Sequence, residues 1–435
     1  MKKEFSNNTV ELFAKTIFHC VPNILKYITE IKDPRKKCMY NMKYLIMSEM
    51  CMFSSAGGSQ RFTETAFRNN NFLDNISKIT KDKILENVPD AEIYTNVFKN
   101  IDEKDIEDFQ YKINYDMLRN KTYENSKILG KYNLLLDATR FQKAHYPVSK
   151  KWLSQTKDGI TTYYVAVEEA KLAVNSMAIS LGNEIIKNTD GTNKQDCEVN
   201  ATKRLIPKIK EYYPRLPIRI IADSLYPCED LMQMCIDNGY EYIFVLKDKK
   251  IPTLTQEFFS LVGIEKNNIK FEENNDKAIL TLWVNNIDYR DLKVNIIRQL
   301  TYDIYTKQIS TWMWMTNRIV TRDNLEKIII CAKTRDYIEN QGFREQKITS
   351  GIDLEHVYAK NIKAIKVIYT IIQLVHLILQ IIEHSDIIGD FSKKYGSVKV
   401  FGKIYFSHLT QTIIDIEKIF KTKIQIRYPN STITI

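Results

Sequence analysis

Along the first 130 residues apolar positions recur at helical spacing, in runs such as NMKYLIMSEMCMF (41–53) and DEKDIEDFQYKI (102–113), parted by the loop SSAGGSQ (54–60). At 131 the pattern shortens to β-branched and aromatic runs: YNLLLD (132–137), TTYYVAVEEA (161–170) and KLAVNSMAISL (171–181). The last two are close enough to form a hairpin. A helix is predicted over 197–213, closed by Pro214 and Pro217, and then IRIIADS (218–224) reads as a strand buried on both faces. CEDLMQMCIDNG (228–239) suits a helix and YEYIFVLK (240–247) another strand, so 131–249 predicts a mixed sheet with helices packed on it. From 250 to 320 the texture is β-rich, with KAILTLWVNN, LKVNIIRQLTYDIYT and STWMWMTNRIV. Leu325, Ile328, Ile329 and Ala332 then restore helical spacing from about Asn324. The run AIKVIYTIIQLVHLILQII (364–382) carries Lys366, Gln373, His376 and Gln380, and predicts a buried or partner-facing helix rather than a membrane span.

Composition narrows the function. A length of 435 residues exceeds the size at which single cores stop growing. The boundaries expected from texture are a helical amino-terminal domain (1–130), an α/β unit (131–249), a β-rich insertion (250–320), the rest of the α/β unit (321–385) and a basic carboxyl-terminal region (386–435). Two lysines at the start are followed by no apolar stretch, so a cytoplasmic protein is expected. Seven scattered cysteines without a C-x-x-C pair fit reduced thiols better than zinc or disulfides. A net charge of +10 favours a polyanionic partner. Eight basic residues against two acidic ones lie in 391–435, and Arg140, Lys143, Lys150, Lys151 and Lys157 cluster around Trp152. No G-x-G-x-x-G, G-K-[ST], H-E-x-x-H or G-x-S-x-G occurs, which removes sequence support for nucleotide loops, zinc proteases and serine hydrolases.

Two acids stand at the ends of apolar runs: Asp137 after LLL and Asp223 after IIA. Carboxylates there are either helix or turn caps or functional groups, because ligands of open α/β sheets gather at the carboxyl ends of strands. TRDYIENQGFREQK (334–347) supplies a third candidate, Glu339, with Arg335 four residues before it and Gln346 seven after. Three such carboxylates suit one or two Mg²⁺ or Mn²⁺ ions, which take hard oxygen ligands and act on phosphodiesters in pairs.

The order Asp137 in LLLDAT, Asp223 in IRIIADSLY and Glu339 in RDYIENQGF resembles the DDE transposases of bacterial insertion sequences, over roughly 130–360. KQDCE (194–198), NGYEYIFVLKD (238–248) and GIDLEHVY (351–358) resemble phrases of that family too. The resemblance implies an α/β fold: an RNase H-like mixed sheet flanked by helices, with a β-rich insertion before the glutamate and a helical amino-terminal DNA-binding domain. It implies that Asp137, Asp223 and Glu339 hold two Mg²⁺ (or Mn²⁺) ions. It further implies metal-dependent cleavage of transposon ends and strand transfer into target DNA. The expected partners are double-stranded DNA, as terminal inverted repeats and target, and a second copy of the chain, in the bacterial cytoplasm with the nucleoid. The family often writes its glutamate helix Tyr-x2-Arg-x3-Glu-x6-Lys. Here Ala332 takes the Tyr position, Gln346 the Lys position, and Lys347 comes one residue late. A subgroup form, Arg-x-x-Ile-Glu-Asn-x-Gly-Phe with Gln-Lys following, fits Arg335 through Lys347. Arg335 is expected to hold Glu339 or to contact a phosphate, and Phe343 to enter the core. Arg140, Lys143, Lys150, Lys151, Trp152, Tyr226 and Lys347 are the candidate DNA contacts. The alternative is a catalytically inactive DNA-binding relative.

Overall fold

The triplet Leu134–Leu135–Leu136 sends Leu134 and Leu136 into one hydrophobic cluster and Leu135 into another, as a strand covered on both faces must. The structure, a computed structural model, describes residues 8–191, 194–247, 250–264, 267–421 and 426–428. Among the described residues it is a mixed α/β protein with fifteen α-helices and a ten-stranded mixed sheet. The strands are β1 (Tyr132–Ala144), β2 (Leu153–Lys157), β3 (Ile160–Val174), β4 (Met177–Ile185), β5 (Ile218–Ala222), β6 (Glu241–Val245), β7 (Ile269–Glu273), β8 (Lys277–Tyr289), β9 (Leu292–Asp303) and β10 (Ile309–Thr316). They lie in the order β2-β3-β1-β5-β6-β10-β9-β8-β7, with β4 also on β3. The parallel pairs are β1 with β5 and β5 with β6, in the registers Leu134↔Ile220 and Ile221↔Ile243.

The expected hairpin is present, but its turn lies at Asn175, whose positive φ of 52° suits a tight reversal, rather than between Ala170 and Lys171. Short β2 gave too little alternation to be read from sequence. Strands β7 to β10 do form in the β-rich stretch and continue the main sheet through β10 on β6.

The helices are α1 (Thr9–Cys20), α2 (Ile24–Glu30), α3 (Met42–Ser54), α4 (Gln60–Ala66), α5 (Asn70–Thr80), α6 (Ala91–Phe98), α7 (Glu103–Arg119), α8 (Lys194–Tyr212), α9 (Glu229–Asp237), α10 (Pro252–Val262), α11 (Leu325–Lys333), α12 (Ile362–His384), α13 (Phe391–Tyr395), α14 (Val398–Gln411) and α15 (Ile416–Lys421). Helix α10, begun by Pro252 at its first position, was hidden within a segment read as strands. On one sheet face α11 packs its Leu325, Ile328, Ile329 and Ala332 onto Leu135, Ile221, Ile243 and Trp314. Buried Arg219 of β5 pins that packing: its guanidinium pairs with Glu241 of β6 at 2.8 Å and donates to Cys331 Sγ of α11 at 2.9 Å.

Helix α12 is the one described helix long and apolar enough to cross a membrane, with a mean hydropathy of 2.0, and its apolar window is wholly buried in protein. Helices α1, α3, α6 and α7 and strand β4 surround it. Helices α1, α2, α3, α5, α6 and α7 therefore share one cluster with α12 and α14. The basic carboxyl-terminal region packs on α1 and α5 through α15 and α14, and ion pairs engage Lys393 with Asp390, Lys418 with Glu11 and Lys421 with Glu417. Lys423 lies outside the described residues.

Candidate active site

Parallel pairing of β1 with β5 ends at Leu135, and Asp137 emerges just beyond it. The acid is not at a strand end as expected, because β1 runs on to Ala144 against β3. Asp223 follows the last residue of β5, and its Oδ1 accepts the Leu225 N–H at 2.7 Å, so it caps a turn while standing beside β1. Glu339 comes from the far side. The helix expected to run unbroken from Asn324 stops at Lys333; after a turn at Thr334 and Arg335 the chain rewinds as a π-helix, Ile338–Thr349. Its wide winding shows at the end, where the Ser350 N–H donates to the Glu345 carbonyl, five residues back, at 2.8 Å.

Arg335 draws these pieces together. Its Nη2 lies 2.9 Å from Glu339 Oε1 and 3.6 Å from Asp137 Oδ2. Asp137 is 7% exposed, and burial pushes its carboxyl up to about 6. Arg335 opposes that rise, whereas the nearby Asp223 and Glu339 add to it. Burial disfavours the Arg335 charge, but Asp137, Glu339 and Asp223 together hold its pKa above the usual value. Asp137 thus feels both other predicted acids, and all three act on the one guanidinium. Their hard oxygens suit Mg²⁺ or Mn²⁺. The raised carboxyl of Asp137 is relieved by added positive charge, which is the electrical fit a cation needs.

Asp137 and Glu339 both line a groove of about 910 Å³. Its basic rim is Arg140, Arg344 and Lys347. The Arg140 guanidinium stacks on the Tyr164 ring at 4.3 Å and bonds Gln155. Burial lowers the Lys347 pKa, Glu355 at 3.7 Å opposes this, and Lys143 and Arg140 lower it further. Arg344 was missed in the sequence although it lies inside the quoted stretch; its basic side chain on an expected site helix was the available signal. Lys143 is tied to Glu355 at 2.5 Å, while Lys150 and Lys151 are exposed near the groove, where Asn188 holds the Lys150 carbonyl.

Two expected DNA contacts belong to the core instead. Tyr226 is 0% exposed and donates its hydroxyl to both oxygens of buried Glu168 at 3.0 Å. Trp152 is 3% exposed, with its indole N–H on the Lys360 carbonyl at 3.2 Å. Each looked surface-like because it followed a loop, but an aromatic ring with a polar end can bury once that end finds a partner. Phe343 is buried as expected, and Gly342 brings the π-helix backbone onto Lys171: a Cβ there would meet its Cδ at 3.2 Å.

Beyond Arg335 a second cavity, about 300 Å³, is lined by Trp312, Trp314, Tyr337, Asn340 and Gln341. The two tryptophan rings are parallel within 4°, with centroids 6.0 Å apart. The alternating W-x-W of β10 was the available signal.

One trio of acids meets the spacing a single metal ion requires among the described residues: Glu103, Glu107 and Glu184, with carboxylate oxygens within 4.8 Å of one another. Asp137, Asp223 and Glu339 therefore stand further apart than one shared ion needs. The closer trio is already neutralised, however. Lys208 reaches Glu107 at 2.7 Å and Glu184 at 3.0 Å, Arg204 reaches Glu184 at 2.9 Å, and Lys366 lies 3.5 Å from Glu107. These ion pairs make the trio part of a salt-bridge cluster joining α7, β4, α8 and α12. The sequence matches no known family model and no curated protein.

Proposed function

We propose that the protein is a DDE-type DNA transposase built on an RNase H-like core, with β7 to β10 as the insertion before its glutamate. The observation that carries the reading is the pairing of Asp137 and Glu339 with one guanidinium, Arg335, at a basic-rimmed groove, with Asp223 on the neighbouring strand end near enough to act on the charge of Asp137. Further support comes from Asp137 standing just beyond the parallel pairing of β1 with β5 while Asp223 follows β5, and from exposed Trp312 in the cavity beside Arg335, a ring on which an unpaired base can stack.

In this reading Asp137, Asp223 and Glu339 hold two Mg²⁺ or Mn²⁺ ions. When bound, these supply an activated oxygen nucleophile and stabilise the oxygen that leaves the phosphodiester. Arg335 keeps Glu339 oriented and offers its remaining N–H groups to a phosphate. Lys347, Arg140 and Arg344 seat the backbone of duplex DNA, first an element end and then the target. Transposon-end cleavage frees a 3′-hydroxyl, which attacks the target during strand transfer. The chain acts on DNA as a homodimer in the bacterial cytoplasm, and its amino-terminal helices read the terminal inverted repeats.

The test is Mn²⁺-dependent cleavage of a duplex taken from the DNA that flanks the coding region. Wild type cuts it; Asp137→Asn, Asp223→Asn and Glu339→Gln do not, and undiminished cutting by any of the three overturns the assignment. A second reading, a catalytically inactive DNA-binding relative, is favoured by Ala332, which is buried where the family carries a tyrosine. It predicts salt-sensitive DNA binding without metal-dependent cleavage.

A further inference from the structure

The apolar run of α12 is interrupted on one stripe by Gln373, His376 and Gln380, all buried, at intervals of three and four residues. This stripe faces the π-helix. Gln373 Oε1 accepts from Gln346 Nε2 at 2.8 Å and from buried Lys171 Nζ at 2.5 Å. His376 Nε2 meets Glu345 Oε2 at 2.9 Å. Gln380 Nε2 donates to Glu345 Oε2 at 3.0 Å and to the backbone carbonyl of Gln341 at 2.7 Å. A side-chain donor on a carbonyl inside the helical ladder is one of the recognised causes of a departure from α winding.

The winding has a chemical result. Two turns after Glu339 an α-helix reaches about seven residues on, at Gln346. Bonds from i to i+5 take up more residues per turn, so the equivalent position falls later. Accordingly Gln346 is fully buried against Gln373, while Lys347 lines the groove with Asp137 and Glu339. The lysine that arrives one residue late in the sequence arrives on the groove side in space.

We propose that Gln373, His376 and Gln380 are positioning residues: they hold 338–349 in its π winding and so present Lys347, rather than residue 346, beside the acids. The consequence for catalysis rests on the transposase reading; the consequence for the helix does not. A polar stripe that merely satisfied itself would tie α12 to any winding. Here its partners on the π-helix are the Gln341 carbonyl and the side chains of Glu345 and Gln346, four and five residues further on.

The experiment compares full-length wild type, Gln373→Leu, Gln380→Leu and Gln373→Glu by amide hydrogen exchange and mass spectrometry, resolving peptides within 338–350. Gln373→Glu keeps the oxygen acceptor that Lys171 and Gln346 use. Exchange in 338–350 is expected to accelerate at least tenfold in each Leu variant, with α1 to α7 and the sheet at wild-type rates and Gln373→Glu near wild type. On the flanking duplex with Mn²⁺, kcat falls at least tenfold in the Leu variants with KM within twofold, and recovers in Gln373→Glu. Unchanged exchange in 338–350, or an equal rise throughout the chain, overturns the proposal. So does loss of folding in both Leu variants, since the stripe would then carry the fold and not the winding. If wild type cuts no DNA, the transposase reading fails while the exchange arm still decides the role of the stripe.

Discussion

Replacing Asp137 by Asn should stabilise the metal-free protein, and the size of the gain follows from the site. In the unfolded chain an aspartate ionises near 3.8, whereas in the fold burial, with Asp223 and Glu339 nearby, holds Asp137 at about 6 despite Arg335. The folded state therefore binds more protons between those values, so stability falls as pH rises from about 4 to about 6 and then stays level. At about 1.4 kcal/mol per pH unit, an ionised Asp137 costs the fold about 3 kcal/mol above pH 6. An asparagine side chain mimics the protonated acid and removes that cost. With about 2.1 cal/mol/K of unfolding entropy per residue over 435 residues, 3 kcal/mol is about 3 °C in Tm. The assay is paired thermal unfolding of wild type and Asp137→Asn in chelator from pH 4 to 8. Other titrations cancel in the difference, which should be near zero at pH 4 and reach its plateau above pH 6. Mn²⁺ should reverse the order, since a site filled at about 1,000 times its Kd contributes about 4.1 kcal/mol to the wild type alone. A difference that is flat with pH, or a variant less stable than wild type at pH 8 without metal, refutes the reasoning.

Three further outcomes are expected. In an Arg335→Gln background the pH at which the stability gain from Asp137→Asn levels off should move up by about 1 to 3 units, because the opposing charge 3.6 Å from Asp137 is gone; no movement would dissolve the pair. Lys347→Ala should weaken duplex DNA binding and reduce the slope of log K against log salt by about 0.9, measured by fluorescence anisotropy across a salt series. An unchanged slope would remove Lys347 from the interface. Tyr226→Phe should cost about 1 to 3 kcal/mol in denaturant unfolding, since buried Glu168 loses a donor, and leave DNA affinity intact. Weaker DNA binding at unchanged stability would return Tyr226 to the surface role once expected for it.

Much of the mixed sheet was legible because β1, β5 and β6 announce themselves as apolar runs between turn formers, and double burial leaves little room for another pattern. Asp137 and Asp223 were legible for the same reason: each is the first charge after such a run. Glu339 and Arg335 were legible as an i, i+4 pair. Their winding was not, because the partners that impose it, Gln373, His376 and Gln380, come some 30 residues later on a helix whose own pattern reads only as apolar. Tyr226 and Trp152 were misread because local sequence shows the loop each follows and not the distant acceptor, Glu168 or the Lys360 carbonyl, that lets the ring turn inward. Helix α10 was lost among strand-like neighbours because an 11-residue segment carries barely three turns of periodicity.

Strands β7 to β10 hang on the rest of the sheet by three residue pairs between β10 and β6, yet Trp283, Ile297 and Trp314 share a cluster with Leu135 and Ala332. That makes them poor candidates for trimming. A shortened chain lacking 250–320 would bare β6 as an open edge, an invitation to pair with another molecule. It would also leave α11 lying on a floor stripped of its two largest rings. Any lineage or engineer seeking a smaller version of this protein would have to rebuild the strand beside β6 before taking the others away.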